Sequence, residues 1–183
     1  MTPSRNSMNK MVFTALLTAL TVLFTLILKI PVGPDCYIHL GQPIVFLAVM
    51  ALPRKYACFA GAVGTSLADI LGGYAFWAPW TFVVQLTVVL VFGFFIDRAR
   101  NSNGTHMILG IPVSEFIGYI VTIVIGTIAF FFAEYMLFGN IIEAATCVPF
   151  RLLLLSSGAI IAAVAFKSLE AGTLKQNFYY KRP

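Results

Sequence analysis

Long apolar runs, broken by short polar or proline-containing stretches, dominate this chain. The first run covers residues 11–30 and stops at Pro31. A stretch with Gly33 and Pro34 as turn formers leads to a second run at 38–52, which opens near Pro43 and ends at Pro53. Further runs cover 56–72, 80–96, 107–138 and 144–166. Runs of this kind read as transmembrane helices when few charges interrupt them. The pattern predicts an all-α integral membrane bundle of six transmembrane helices, one transmembrane domain over residues 1–183. As a single helix the fifth run would reach ~48 Å, against ~30 Å of hydrocarbon. A tilt, a kink at Pro112 or projection beyond the membrane would absorb the excess.

Composition agrees. The 183 residues are 60% hydrophobic and only 10% charged, with a mean hydropathy of +0.91. A soluble domain carries about 25% charged residues. The net charge of +5 does not point to nucleic acid, because the basic residues sit in short loops and termini rather than in a phosphate-binding stripe. They serve as topology signals instead. Arg5 and Lys10, Arg54 and Lys55, Arg98 and Arg100, and Lys167, Lys175, Lys181 and Arg182 all fall on one side if six spans alternate. The other side holds only Lys29, with Asp35 and Glu143. By the positive-inside rule both termini are expected in the cytoplasm. The first run is too long for a signal-peptide core and is expected to be a retained helix.

Ionisable residues inside apolar runs are candidates for function, because hydrocarbon disfavours them. Asp69, Glu115, Glu134 and Arg151 qualify. The topology puts Asp69, Glu134 and Arg151 in the outer half and Glu115 nearer the inside. The outer connections add Tyr37 and His39 on one side, and Tyr74, Phe76, Trp77 and Trp80 on the other. Aromatic faces around a few charges suit a small, flat, polar molecule. Plainer roles compete: Trp77 and Trp80 as interface anchors, Asp69 and Arg151 as a structural ion pair, His39 as a loop residue. Ala15 and Ala19 lie four apart and form a flat helix face, suited to packing or to docking a partner. Ala57, Gly61, Thr65 and Asp69 form one stripe on the third run, and Ala60, Gly64, Ala68 and Gly72 another, for packing within the bundle.

No catalytic residue is expected. The chain lacks a GxxxxGK[ST] phosphate loop, HExxH and GxSxG. Cys36, Cys58 and Cys147 have no ligand spacing and read as inert buried thiols, so no metal or other cofactor is expected.

Several motifs together resemble the substrate-binding S components of energy-coupling factor (ECF) transporters, which import vitamins into bacteria and archaea. They are the Ala15–Ala19 face, Tyr37-Ile-His-Leu-Gly41, Gly64-Thr-Ser-Leu-Ala-Asp69-Ile-Leu-Gly-Gly-Tyr74, Ala78-Pro-Trp-Thr81, Ala133-Glu-Tyr-Met-Leu-Phe-Gly139 and Val148-Pro-Phe150. The resemblance covers nearly the whole chain. It implies a six-helix fold in the cytoplasmic membrane and a vitamin pocket near the outer face, with the first outer loop and the loop after span three as lids. Tyr37, His39, Asp69, Tyr74, Trp77, Trp80, Gln85, Glu134 and Arg151 would line that pocket. It also implies docking through Ala15 and Ala19 onto a T component that carries two ATPase subunits. The chain departs from the family pattern at Gln42, Gln85, Val88 and Arg151, where relatives often carry Asp, Lys, Glu and Asn. Those exchanges move charge in the pocket and bear on ligand choice. Pyridoxine-like, hydroxymethylpyrimidine-like and riboflavin-like ligands are the expected class. A structural subunit of another membrane complex and a standalone carrier are the alternatives.

Overall fold

A computed structural model describes residues 5–31, 37–101, 107–108 and 111–171. Asp35, Cys36, Lys175, Lys181, Arg182 and the polar tip at 102–106 lie outside the described residues. The described chain is helical apart from two short β-ladders. Helix α1 (Arg5–Ile27) leads into strand β1 (Lys29–Pro31), which pairs antiparallel with β2 (Tyr37–His39). Then come α2 (Gly41–Ala51) and a continuous helical run made of α3 (Arg54–Cys58), a π-helical turn (Phe59–Val63) and α4 (Gly64–Leu71). Helix α5 (Ala78–Asn101) follows, then β3 (Met107–Ile108) paired with β4 (Ile111–Pro112), α6 (Val113–Phe138) and α7 (Ile141–Ala171).

Among the described residues, four helices are long and apolar enough to cross a membrane: Met8–Ile27 within α1, α5, α6, and Ile141–Leu169 within α7. With its apolar composition, the chain is a multi-pass membrane protein. Helix α2 differs. Its 11 residues rise only ~16 Å, about half of the hydrocarbon thickness. It is buried among α1, α5 and α7, and Val45, Phe46 and Ala48 have no exposed surface. Phe46 meets Phe92 edge to face at 5.0 Å between centroids, and Tyr119 packs on Phe92 at 4.6 Å.

Two expectations about elements are corrected. The fifth run is not one long helix. Its first residues form the β3–β4 ladder, and α6 starts only at Val113. Pro112 has no N–H to give to a preceding turn and holds its neighbour out of helical geometry, so the helix begins immediately after it. The sixth helix is longer than 144–166, reaching from Ile141 to Ala171 through Pro149. Glycine ends α6: Gly139 adopts φ +66°, and its N–H bonds the Tyr135 carbonyl. Asn140 then accepts the Ile142 N–H at 3.0 Å, satisfying an orphan donor at the start of α7.

Several hydroxyls inside the apolar helices bond back to their own backbone. Thr14, Thr18 and Thr21 donate to the carbonyls of Lys10, Thr14 and Leu17. Thr65 and Ser66 donate to Gly61 and Ala62. Each polar atom is thereby satisfied without water. The small-residue stripes pack as expected. A Cβ on Gly61 would come within 2.8 Å of Val89 Cγ2, and one on Gly64 within 3.1 Å of the Thr21 Cβ. Ala15 and Ala19, by contrast, are exposed on α1.

Successive helical runs alternate in direction. One end of the bundle gathers the start of α3 and the last turns of α5. There Arg54 bridges Asp97 at 2.5 Å and Arg100 donates to the Met50 carbonyl. The opposite end gathers the β1–β2 hairpin, the end of α4, the start of α5, the end of α6 and the start of α7.

Candidate functional site

Five of the residues singled out from sequence come together at that second end. Glu134 lies in the last turns of α6, with no exposed surface. Arg151, in the third turn of α7, is 4% exposed. Its Nε donates to Glu134 Oε1 at 2.7 Å. Only Nε is committed in this way. The terminal guanidinium nitrogens make no hydrogen bond among the described residues, and neither does Glu134 Oε2.

Rings surround the guanidinium. Its carbon lies 4.4 Å from the centroid of Phe130 and 5.8 Å from those of Tyr37 and Trp77. Such faces attract a cation, more so where water is excluded. Trp77 is 3% exposed and packs with Val84, Phe130 and Ala133, while Trp80 lies half-buried against that cluster. Trp77 is therefore packed inside the bundle, beside the guanidinium.

The second carboxylate is held separately. Tyr37 Oη donates to Asp69 Oδ1 at 2.8 Å, joining the hairpin to α4. Burial first, and the Asp69 carboxylate next, push the Tyr37 phenol above its ordinary range, so it stays protonated and donates. The pairing expected as one option, Asp69 with Arg151, is thus replaced by two: Tyr37 with Asp69 and Glu134 with Arg151. Arg151 is compensated within the chain by Glu134.

The remaining candidates sit at the margins. The exposed Tyr74 ring lies 5.9 Å from Tyr37. It follows Gly73, whose φ of +83° makes the turn after α4. His39 is buried, with Nδ1 accepting the Gly41 N–H at 3.2 Å and Thr25 Oγ1 3.5 Å away. It braces the start of α2. Gln85 is buried and donates to Gln42 Oε1 at 2.8 Å. Glu115 lies on the first turn of α6, away from the cluster and near Tyr119. Sequence reasoning missed Phe130. It lies one turn before Glu134 on the same helix face, and that spacing was the available signal. The expectation of three inert thiols is corrected as well: Cys147 is disulfide-bonded, and Cys58 is free.

The fold and the cluster define a membrane protein with a charged, aromatic-walled site at one end of its bundle. The chain belongs to the family of ECF-type riboflavin transporter S components, whose pattern it matches over residues 5–171. Its fold is similar to that of the S component of a bacterial ECF transporter, with a TM-score of 0.65 and 15% identity over 89% of this chain and 96% of that one. It is also similar to the S component for biotin of an ECF-type ABC transporter, with a TM-score of 0.64 and 17% identity over 97% of this chain and all of that one. An uncharacterised protein of Pyrococcus woesei is 31% identical over 78 residues, which are 42% of this chain and 52% of that protein. The chain thus spans about half the length of this curated relative.

Proposed function

We propose that this chain captures a small, flat heteroaromatic vitamin or precursor at the outer face of the cell membrane and surrenders it for import. The observation that carries this reading is the buried Glu134–Arg151 pair framed by Tyr37, Trp77 and Phe130. Hydrocarbon rejects such charges unless they are paired or useful, and the pair leaves donors on Arg151 and an acceptor on Glu134 uncommitted. A ring system stacks on the aromatic walls while its carbonyl or ring nitrogen takes an Arg151 N–H. Because Glu134 already neutralises Arg151, the preferred ligand is uncharged. A phosphorylated ligand would meet a guanidinium already paired with Glu134. Of the riboflavin-like, pyridoxine-like and hydroxymethylpyrimidine-like candidates, the family match favours riboflavin.

On this reading the short α2 and the run from Arg54 to Leu71 complete six passes, with both termini cytoplasmic. The end marked by Arg54, Lys55, Arg98 and Arg100 faces the cytoplasm. The exposed Ala15–Ala19 face docks a T component, and two ATPase subunits supply the energy. No nucleotide site is required in this chain.

The test is a titration of purified, detergent-solubilised protein with riboflavin, pyridoxine and hydroxymethylpyrimidine, without ATP, read by quenching of Trp77 and Trp80 fluorescence. One compound is expected to bind saturably. Arg151→Ala, and Trp77→Ala read calorimetrically, are each expected to weaken it at least about tenfold while the protein stays folded. Failure of folded wild-type protein to bind any of the three overturns the reading.

A further inference from the structure

The third apolar run carries a feature that the proposed role has not used. A π-helical turn, Phe59–Val63, interrupts the α-helical winding between Arg54 and Leu71. A π-turn holds one residue more than an α-turn, and such turns occur mostly as single interruptions of α-helices. Its effect shows in the stripe of Ala57, Gly61, Thr65 and Asp69, which repeat every four residues and are all buried. On a plain α-helix four residues turn ~400°, so such a stripe drifts ~40° per step and ~120° from Ala57 to Asp69. The extra residue of the π-turn takes back ~100° of that drift. Ala57 and Asp69 are thereby brought within ~20° of one face.

Packing and hydrogen bonds hold the turn in place. Ala60, Gly61 and Ala62 are buried within it. A Cβ on Gly61 would meet Val89 of α5 at 2.8 Å and Val45 of α2 at 3.1 Å. The Thr65 hydroxyl donates to the Gly61 carbonyl at 2.7 Å and the Ser66 hydroxyl to the Ala62 carbonyl at 2.7 Å, so side chains cover two carbonyls of the widened turn. Beyond it, Asp69 accepts from Tyr37 Oη at 2.8 Å, and the Tyr37 ring faces the Arg151 guanidinium at 5.8 Å. Wound as a plain α-helix onward from Ala57, the run would carry each later residue one place further round. Asp69 would take the place of Ile70, which is 53% exposed, and Ala68 would lie beneath the Tyr37 hydroxyl. The carboxylate would then face lipid, which disfavours it.

We infer that the π-helical turn is the positioning device of the charged site: its extra residue aims Asp69 at Tyr37 and so fixes the hairpin's tyrosine against the Arg151 guanidinium. The turn acts through Asp69 and Tyr37. Its effect on affinity rests on the reading that the charged site binds a ligand; its effect on the Tyr37–Asp69 bond does not.

Two changes of chain length test this in purified full-length protein in detergent. Deleting Ala62 removes the turn together with its extra residue and leaves Asp69 in phase. Inserting one alanine after Ser66, beyond the turn, carries Asp69 ~100° toward the lipid side. Tyr37→Phe reports on the bond. It is expected to lower the midpoint of thermal unfolding by about 3–6 °C in wild-type protein and in the deletion variant, and by less than about 1 °C in the insertion variant. Affinity for riboflavin, read by flavin fluorescence, is expected to stay within about threefold of wild type after the deletion and to fall at least about tenfold after the insertion. The proposal is overturned if Tyr37→Phe has no effect in wild-type protein, if its effect is lost in the deletion variant or persists in the insertion variant, or if the deletion variant does not fold. Should the insertion variant not fold, the deletion variant decides alone. Wild-type protein that shows the expected unfolding shift but binds neither riboflavin nor the other two candidates overturns the import reading and leaves the positioning role in place.

Discussion

Arg151 illustrates what an apolar bundle demands of a charge. Its guanidinium is held by Glu134 at 2.7 Å and faced by three rings. Removing one partner leaves the other buried and uncompensated. Glu134→Ala is therefore expected to destabilise the protein by about 3–5 kcal/mol. Glu134→Leu combined with Arg151→Met is expected to cost less than either single change, because no orphan charge remains. Thermal unfolding in detergent measures both, and additive losses would contradict this account of the pair. At this scale the sequence was partly legible. Asp69, Glu134 and Arg151 stood out as charges in apolar runs. Their pairing did not, because depth along each helix placed both carboxylates equally near Arg151. The amides of Gln42 and Gln85 carry no charge to mark them. Their mutual bond joins α2 to α5 across 43 positions of sequence.

Elements depended on local chemistry where proline and glycine act, and on packing elsewhere. The proline rule that opens α6 at Val113 was available at Pro112, yet the apolar run continued across it and masked the boundary. The two β-ladders had no signal: their strands are only two or three residues long, too short for alternation to show. The small residues sort by what covers them. Gly61 faces Val89 and Val45 in the bundle, so Gly61→Leu is expected to destabilise by about 1–3 kcal/mol through overpacking. Ala15 and Ala19 are exposed. Ala15→Leu with Ala19→Leu should leave unfolding and ligand binding within about 0.5 kcal/mol of wild type, yet abolish co-purification of ATPase subunits from the native host. Retained co-purification would remove the docking role.

For the whole molecule, alternation of the helical runs puts a basic end opposite a site end. Membrane-impermeant maleimide labelling of whole cells can check its orientation. In a background with Cys58→Ser, Asn140→Cys, at the exposed turn between α6 and α7, is expected to label from outside. Lys55→Cys, exposed at the start of α3, is expected to label only after permeabilisation. The reverse pattern would invert the topology and move the site to the cytoplasmic face.

The sequence alone determined the solvent of this protein and the positions of its charges. Both follow from local composition: an apolar run with few charges partitions into lipid whatever surrounds it, and an ionisable residue within it is costly wherever the chain goes. The tertiary structure alone decided which carboxylate neutralises Arg151, which aromatic rings enclose it and which amides meet beneath it. Those contacts join α2 to α5, α6 to α7 and the hairpin to α4. They depend on helix rotation and crossing, which nearly uniform apolar faces do not encode along the chain.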